Sequence, residues 1–319
     1  MEFGFNEMFL ENTIEIGYEV LSLSEKLKFK YPSNLLKFFN GVRKLLFKDK
    51  NYKKRLIKNY QLDVVKKIQN DKYYTIAEYA LIIRPDLWHH EVISEVVKLA
   101  KVSVCYQWDG IKRYPDVVNY FSLFTKIYVF DPKDLYQTNF NIKLLTNFYF
   151  DNLSSFIQEA TRQVCYIGTF QNNRITKLLE IKKILKQYDI FFDIFLAFNS
   201  KKEATSFEYT EDVNILQQSL SYKQMIGLSS KYKVIVDVQN KFHEGLSFRH
   251  FECLKLEKKI ITDNASVKGY DFYKSNNVFV FGQDNPANLS LFINSEFEKI
   301  NFKIIEKYSY QNWLRDIFV

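Results

Sequence analysis

The stretch Glu244–Asn264, EGLSFRHFECLKLEKKIITDN, changes its period twice. A loop carrying Gly245 gives way to LSFRHFECLKLE (246–257), whose apolar residues recur at helical spacing, and then to KKIITDN (258–264), a short β-branched run that stops at a polar turn. A helix delivered straight into a buried strand is half of a parallel βαβ unit, and such units set the fold class. The same stretch holds two glutamates, Glu244 and Glu252, with Arg249 between them. They are about two helical turns apart, so a helix carrying both would place them near one face.

The alternation continues outward from this stretch. Upstream, QVCYIGTF (163–170), DIFFDIFLAF (189–198) and YKVIVDVQ (232–239) read as strands, with helices at NNRITKLLEIKKILKQY (172–188) and YKQMIGLSSK (222–231). Downstream, NVFVFG (277–282) is a last strand and KIIEKYSYQNWLRDI (303–317) a closing helix. An earlier series begins near residue 62: strands at YALIIRPD (79–86), VSVCYQWDG (102–110) and IYVFDPKDL (127–135), helices at HHEVISEVVKLAKV (89–102) and PDVVNYFSLFTK (115–126). Between the two series the segment from Thr138 to Ser155 reads as polar. The expected fold is therefore α/β, with two Rossmann-like domains whose parallel sheets face each other across a cleft. Residues 1–150 form the first domain and 151–319 the second. Ligands of such sheets bind beyond the carboxyl ends of the strands, so the chemistry is expected in that cleft.

At 319 residues and 47% apolar content the chain is long enough to bury sizeable cores without staples. Cys105, Cys165 and Cys253 have apolar neighbours and no metal-ligand spacing, which fits reduced core thiols in a cytoplasmic protein. No run of eighteen apolar residues occurs, and the N-terminus has acids where a signal peptide has basic residues. With four histidines and no carboxylates at ligand spacing, a catalytic metal is not expected.

The net charge of +8 is concentrated between Glu25 and Tyr60, where Asp49 is the one acid after Glu25. Within this segment Leu35, Leu36, Phe38, Phe39, Val42, Leu45 and Leu46 follow helical spacing among Lys37, Arg43, Lys44 and Lys48. A helix over 34–48 has three readings: an ordinary surface helix docked on its domain, a helix lying on an anionic membrane, or a nucleic-acid patch. The high aromatic content tracks a Lys-, Asn-, Ile- and Phe-rich composition of the kind AT-rich coding produces, and no nucleic-acid motif is present.

Several residues could carry chemistry. In IGTFQNNR (167–174), joining a strand to a helix, Gly168 and Thr169 sit where backbone can approach an anion, the helix start offers N–H groups, and Arg174 adds charge. A departing nucleotide builds negative charge on phosphate, which Arg249 can offset. Glu252 could accept ribose hydroxyls, Glu244 would face the transferred group, and Tyr222 would line the nucleotide pocket. In YQWDGIKRYP (106–115), Asp109 is placed as a general base or as a nucleophile to a sugar carbon, with His89 and His90 as alternative bases. Asp131 and Asp237, closing strands, read as turn or capping residues.

The order of IGTF-x-x-x-R, SYKQMIGLSSKYKVIVDV, EGLSFRHFECLKLEKKIITDN and YDFYKSNNVFVF, with YALIIRPDLW, YQWDGIKRYP and YVFDPKDL upstream, resembles bacterial GT-B-type glycosyltransferases of lipopolysaccharide and capsular polysaccharide clusters. The resemblance covers roughly residues 75 to 285. It implies transfer of a sugar from a nucleotide-activated donor to a glycan or lipid-linked glycan acceptor at the cytoplasmic face of the inner membrane. It implies no cofactor beyond the donor and no nucleic-acid partner. By similarity Glu244 and Glu252 match the glutamate pair that many retaining members place around donor sugar and ribose, with Arg249 in the same element. The second domain is then the donor side and the first the acceptor side, with the last helix packing back on the first. Members open with a hydrophobic strand, whereas MEFGFNEMFLENTIEIGYEV looks like the turn and helix that follow it, so a first sheet short of one strand is expected. A glutamate pair favours retention and Asp109 as base favours inversion; the residues leave both open. A non-catalytic sugar-nucleotide or glycan-binding protein on the same fold is the alternative.

Overall fold

The structure is a computed structural model that describes residues 4–49, 51–198, 200–208 and 210–318. Four helices open the chain: α1 (Phe5–Glu15), α2 (Leu23–Lys26), α3 (Asn34–Leu46) and α4 (Tyr52–Gln69). The first sheet follows, with β1 (Ala77–Ile83), α5 (His90–Val96), β2 (Ala100–Gln107), β3 (Lys126–Val129) and β4 (Ile142–Leu144). Its strands lie in the order β1-β2-β3-β4, all parallel. Residues 115–126, expected as an α-helix, form a 3-10 helix over Pro115–Leu123. Pro115 at its start fixes the entry, and Val117 and Phe121 bury into the core.

The second sheet is built from β5 (Arg162–Thr169), α6 (Asn172–Lys186), β6 (Phe192–Ala197), α7 (Lys201–Thr205), β7 (Asn214–Leu216), α8 (Tyr222–Ser230), β8 (Tyr232–Asp237), α9 (Phe248–Lys255), β9 (Lys259–Thr262) and β10 (Val278–Val280). The order is β10-β9-β8-β5-β6-β7, again all parallel. Each helix shows why it docks. In α6, Ile175, Leu178, Ile181 and Leu185 recur on one face and bury against β5, β6 and β8, each worth about 1.5–3 kcal/mol of transfer free energy. α8 starts on a capping box in which Ser221 accepts from the Gln224 amide and the Gln224 side chain accepts from the Ser221 amide. The parallel strands are apolar on both faces, as sheets covered on both sides require.

The chain closes with α10 (Leu289–Asn294), α11 (Phe302–Lys307) and α12 (Tyr310–Phe318). The single closing helix expected over 303–317 is thus broken at Tyr308 and Ser309. The break has a cause: Tyr149 forms a parallel bridge with Ser309, its N–H donating to Tyr308 O and its carbonyl accepting from the Tyr310 N–H. Helical hydrogen bonding cannot continue through residues engaged in that way.

Two compact units result. One comprises residues 20–129 and 134–144 and holds the first sheet. The other holds the second sheet and also takes in residues up to Glu19, Phe130–Lys133 and everything from Leu145. Both ends of the segment 1–150 therefore pack with the second sheet, and α12 packs there on α1. Aromatic side chains explain it: Phe9 of α1 meets Phe148, Phe150 and Tyr310, and Phe148 lies 4.3 Å from the Trp313 ring. The buried Asn12 locks the join, donating to Asn152 Oδ1 and accepting from the Asp151 amide. The segment expected to be polar, 138–155, in fact contributes Phe148, Tyr149, Phe150 and Leu153 to a core.

Candidate functional site at the second sheet

The carboxyl ends of β5 and β8 bring a charged cluster together. Arg249, two residues into α9, donates from Nη1 to Asp237 Oδ1 at 3.0 Å and from Nη2 to the Ile167 carbonyl, with its guanidinium over the Tyr166 ring. It therefore links β8, β5 and α9. Asp237, which closes β8, is a buried counter-ion and not the turn residue the sequence suggested. Burial opposes its ionisation, yet His250, Arg249 and Arg174 together hold its pKa below the ordinary carboxylate value. His250 Nδ1 stands 3.8 Å from Asp237 Oδ2, while burial lowers the imidazole pKa.

Arg174 enters the same cluster from the first turn of α6. Its buried Nε has no hydrogen-bond partner among the described residues, and its charge reaches Asp237. The α6 N-cap, Gln171, makes no side-chain capping bond, so the helix start keeps amide N–H groups for an anion. At the strand end before it, a Cβ on Gly168 would stand 2.7 Å from the Tyr166 hydroxyl, so glycine leaves room for that ring; Thr169 ends β5.

Glu252 and Tyr222 also meet. The Tyr222 hydroxyl donates to Glu252 Oε1 at 2.7 Å, and both side chains are buried. Glu252 Oε2 accepts no hydrogen bond among the described residues. Burial pushes the Glu252 carboxyl up to about 7, offset in part by the Tyr222 hydrogen bond and the Arg249 charge. Phe5 of α1 covers Tyr222, ring centroids 4.6 Å apart, and Lys223 beside it pairs with Glu7 and Glu11. A cavity of about 20 Å³, room for one water, runs between Glu252, Arg249, Cys253 and Lys258.

Glu244 lies on the loop before α9, half exposed and paired with Lys133 at 2.5 Å. Its backbone is fixed from three directions. Asp131 Oδ2 accepts from the Glu244 amide, Asn264 Nδ2 and Ser266 Oγ donate to the Glu244 carbonyl, and Asn147 Nδ2 donates to Leu246 O. Gly245 is required here, since a Cβ would stand 2.7 Å from the Phe130 carbonyl oxygen. Asp131 is thus a positioning residue, a role that its place at a strand end did not reveal.

Asp109 belongs to the other unit, on the loop after β2. Both its oxygens are engaged: Arg84 donates at 2.5 Å and Arg113 at 2.8 Å. Arg84 is itself buried, bidentate on Asp86, stacked 3.6 Å from the Tyr114 ring centroid, and held at φ 55 in the left-handed region. A non-glycine residue held there by three ionic contacts is a strained point at the carboxyl end of a parallel sheet. His89 is the N-cap of α5 and His90 its first residue, packed on the Tyr120 ring.

Of the second-unit residues named from sequence, Arg174 and Arg249 face Asp237 and Tyr222 meets Glu252, whereas Glu244 is held on its own loop by Lys133, Asp131, Asn264 and Ser266. Arg249 is engaged within the fold, whereas the buried Nε of Arg174 has no hydrogen-bond partner among the described residues. Among the described residues no group of three or more His, Cys, Asp or Glu is placed to hold a metal ion.

No family model and no curated protein sequence matches the chain. Solved structures do. TarM aligns over 80% of this chain and 57% of its own, with TM-score 0.53 and 16% identity. A trehalose-6-phosphate synthase, studied for glycosyl transfer with retention, aligns over 82% and 77%, with TM-score 0.52 and 8% identity. Accessory secretory protein 1, 2 and 3 of Streptococcus pneumoniae aligns over 82% of this chain, which spans 57% of the length of that protein, with TM-score 0.46 and 9% identity. What the likenesses to TarM and the trehalose-6-phosphate synthase establish is the fold: an α/β chain with two parallel sheets, of four and six strands among the described residues, like its GT-B glycosyltransferase neighbours.

Proposed function

We propose that the protein is a metal-independent glycosyltransferase, moving a sugar from a nucleotide-activated donor to a cell-surface glycan of the lipopolysaccharide, O-antigen or capsule kind at the cytoplasmic membrane face. The observation that supports this is the convergence, at the carboxyl edge of the second sheet, of an α6 start without side-chain capping, an Arg174 whose buried Nε has no hydrogen-bond partner among the described residues, and the Arg249–Asp237–Glu252 cluster. In this reading the donor phosphates take the α6 N–H groups and Arg174, which stabilise the charge that builds as the nucleotide leaves. Glu252 Oε2 takes a ribose hydroxyl while Tyr222 holds Oε1. Glu244, held by Asp131 and Asn264 on a fixed loop, acts at the sugar carbon, and Asp109 orders the acceptor-side loop through its two arginines.

The second reading, a sugar-nucleotide or glycan-binding protein without turnover, is favoured by Asp109 and Glu252, whose carboxylates are already engaged inside the protein. Nucleotide release from UDP-, GDP-, CMP- and dTDP-sugars, followed with the purified chain, separates the two. The catalytic reading expects one donor to be consumed above background, at a rate lowered at least about tenfold in Glu244→Gln. Saturable donor binding with no release supports the binding reading. Neither binding nor release with any donor overturns both.

A further inference from the structure

Helix α3 carries its apolar face outward. By helical spacing Leu35, Phe38, Phe39, Val42, Leu45 and Leu46 form one stripe, and five of the six are exposed, Leu45 at 81% and Phe38 at 68%. Leu36 and Asn40, a turn apart on another face, are half-buried, as are Gly41 and Val42, and no residue of α3 is buried. A surface helix normally shows the reverse pattern, with the stripe on the core, so the docked reading of 34–48 fails. Phe47, at the C-cap, extends the apolar surface and is 74% exposed. Scattered exposed leucines need no explanation; a contiguous stripe on one helix does.

Charge identifies what it fits. Arg43 borders the stripe, Lys37 and Lys44 lie on the polar face opposite it with Lys48 following, and α4 adds Lys53, Lys54 and Arg55. The one acid of the segment, Asp49, is neutralised by Arg43 and Arg55. Lysine and arginine stems can lie along apolar surface while their heads reach phosphate. An apolar stripe of leucine and phenylalanine on a helix whose charged residues are all cations matches an anionic bilayer surface, the stripe reaching the acyl boundary and the lysine and arginine stems carrying their heads to the headgroups. A basic protein partner is excluded by repulsion, and a nucleic acid has no use for the stripe.

We infer that α3 lies in the interface of an anionic phospholipid bilayer, its apolar stripe inserted, with Arg43 at the edge of the stripe and Lys37, Lys44 and Lys48 of the polar face reaching the headgroups. This extends the membrane-face reading above, yet vesicle binding is measured without donor or acceptor, so the two fail separately. The test is flotation of the full chain with phosphatidylcholine vesicles, with and without 30 mol% phosphatidylglycerol, beside Phe38→Ser/Leu45→Ser/Leu46→Ser and Lys37→Gln/Lys44→Gln/Lys48→Gln variants. All substituted positions are exposed, and thermal melts confirm that the variants fold. The expected result is binding to the anionic vesicles alone, falling on the order of tenfold or more in either triple variant. No flotation of the wild type overturns the inference. So does flotation that the Ser variant leaves unchanged, or self-association of the wild type in sedimentation that the Ser variant abolishes without any vesicle binding.

Discussion

Asp237→Ala is expected to lower the free energy of unfolding by about 3–5 kcal/mol, because it leaves a buried guanidinium without its counter-ion. Arg249 donates to Asp237 at 3.0 Å, and Arg174 and His250 face the same carboxylate. Removing the anion leaves two guanidinium groups of one sign around an empty position, while the Ile167 carbonyl and the Tyr166 ring are the remaining partners of Arg249. The double variant Asp237→Ala/Arg249→Met removes both charges, and most of the loss should be recovered, since an apolar pair of similar volume often replaces a buried ion pair at little cost. Urea midpoints of the wild type, the single and the double variant check this. A single variant within about 1 kcal/mol of the wild type would mean that the cluster does not hold β5, β8 and α9 together.

Glu252→Gln should change how stability depends on pH. The carboxyl is pushed from 4.5 up to about 7 by burial, so the folded protein holds this proton over a range where the unfolded chain has released it. A raised acid favours folding at low pH, and that advantage is lost as pH rises from about 4.5 through 7, amounting to about 3 kcal/mol once both states are ionised. Glutamine presents an oxygen to the Tyr222 hydroxyl and carries no charge, so the variant escapes the loss. Relative to wild type, Glu252→Gln should gain about 3 kcal/mol between pH 4 and pH 8, read from urea unfolding at each pH. His250, whose pKa is lowered by burial, contributes the opposite slope below its ordinary value, but it is present in both proteins and cancels in the difference. A flat difference curve would mean that Glu252 is ionised in the folded protein near its ordinary pKa, and that the burial described here does not govern it.

How much could be read in advance depends on range of interaction. The long helix α6 and the strands β5, β6, β8 and β9 were legible, because each is an apolar run whose length and period can be read locally. The three-residue strands β4 and β7 were not, since three residues carry no period. Neither was α4, whose polar surface leaves Gln61 and Val65 as its buried positions. The spacing of Glu244 and Glu252 was visible, but one helix does not carry both, since Glu244 lies on the loop before α9; the position of Arg174 at a strand-to-helix turn was legible. What spacing cannot show is pairing across the fold. That Tyr222 holds Glu252, that Asp131 holds the Glu244 amide, that Asp237 compensates Arg249 and that two arginines hold Asp109 are contacts between residues up to 113 positions apart. The exposed stripe of α3 follows the same logic: sequence showed an amphipathic helix, and only its docking shows which way the apolar face points.

The central claim is that the α6 start and Arg174 receive the phosphates of a nucleotide. The most direct test is thermal stability of the purified chain against UDP, GDP, CMP and dTDP and their sugars, with Arg174→Ala measured alongside. The account predicts that one nucleotide raises the melting temperature, by the equivalent of about 2.7 kcal/mol at a hundred times its dissociation constant, and that Arg174→Ala removes the shift without unfolding the protein. A folded wild type that no nucleotide stabilises, or a shift that Arg174→Ala leaves intact, would contradict it.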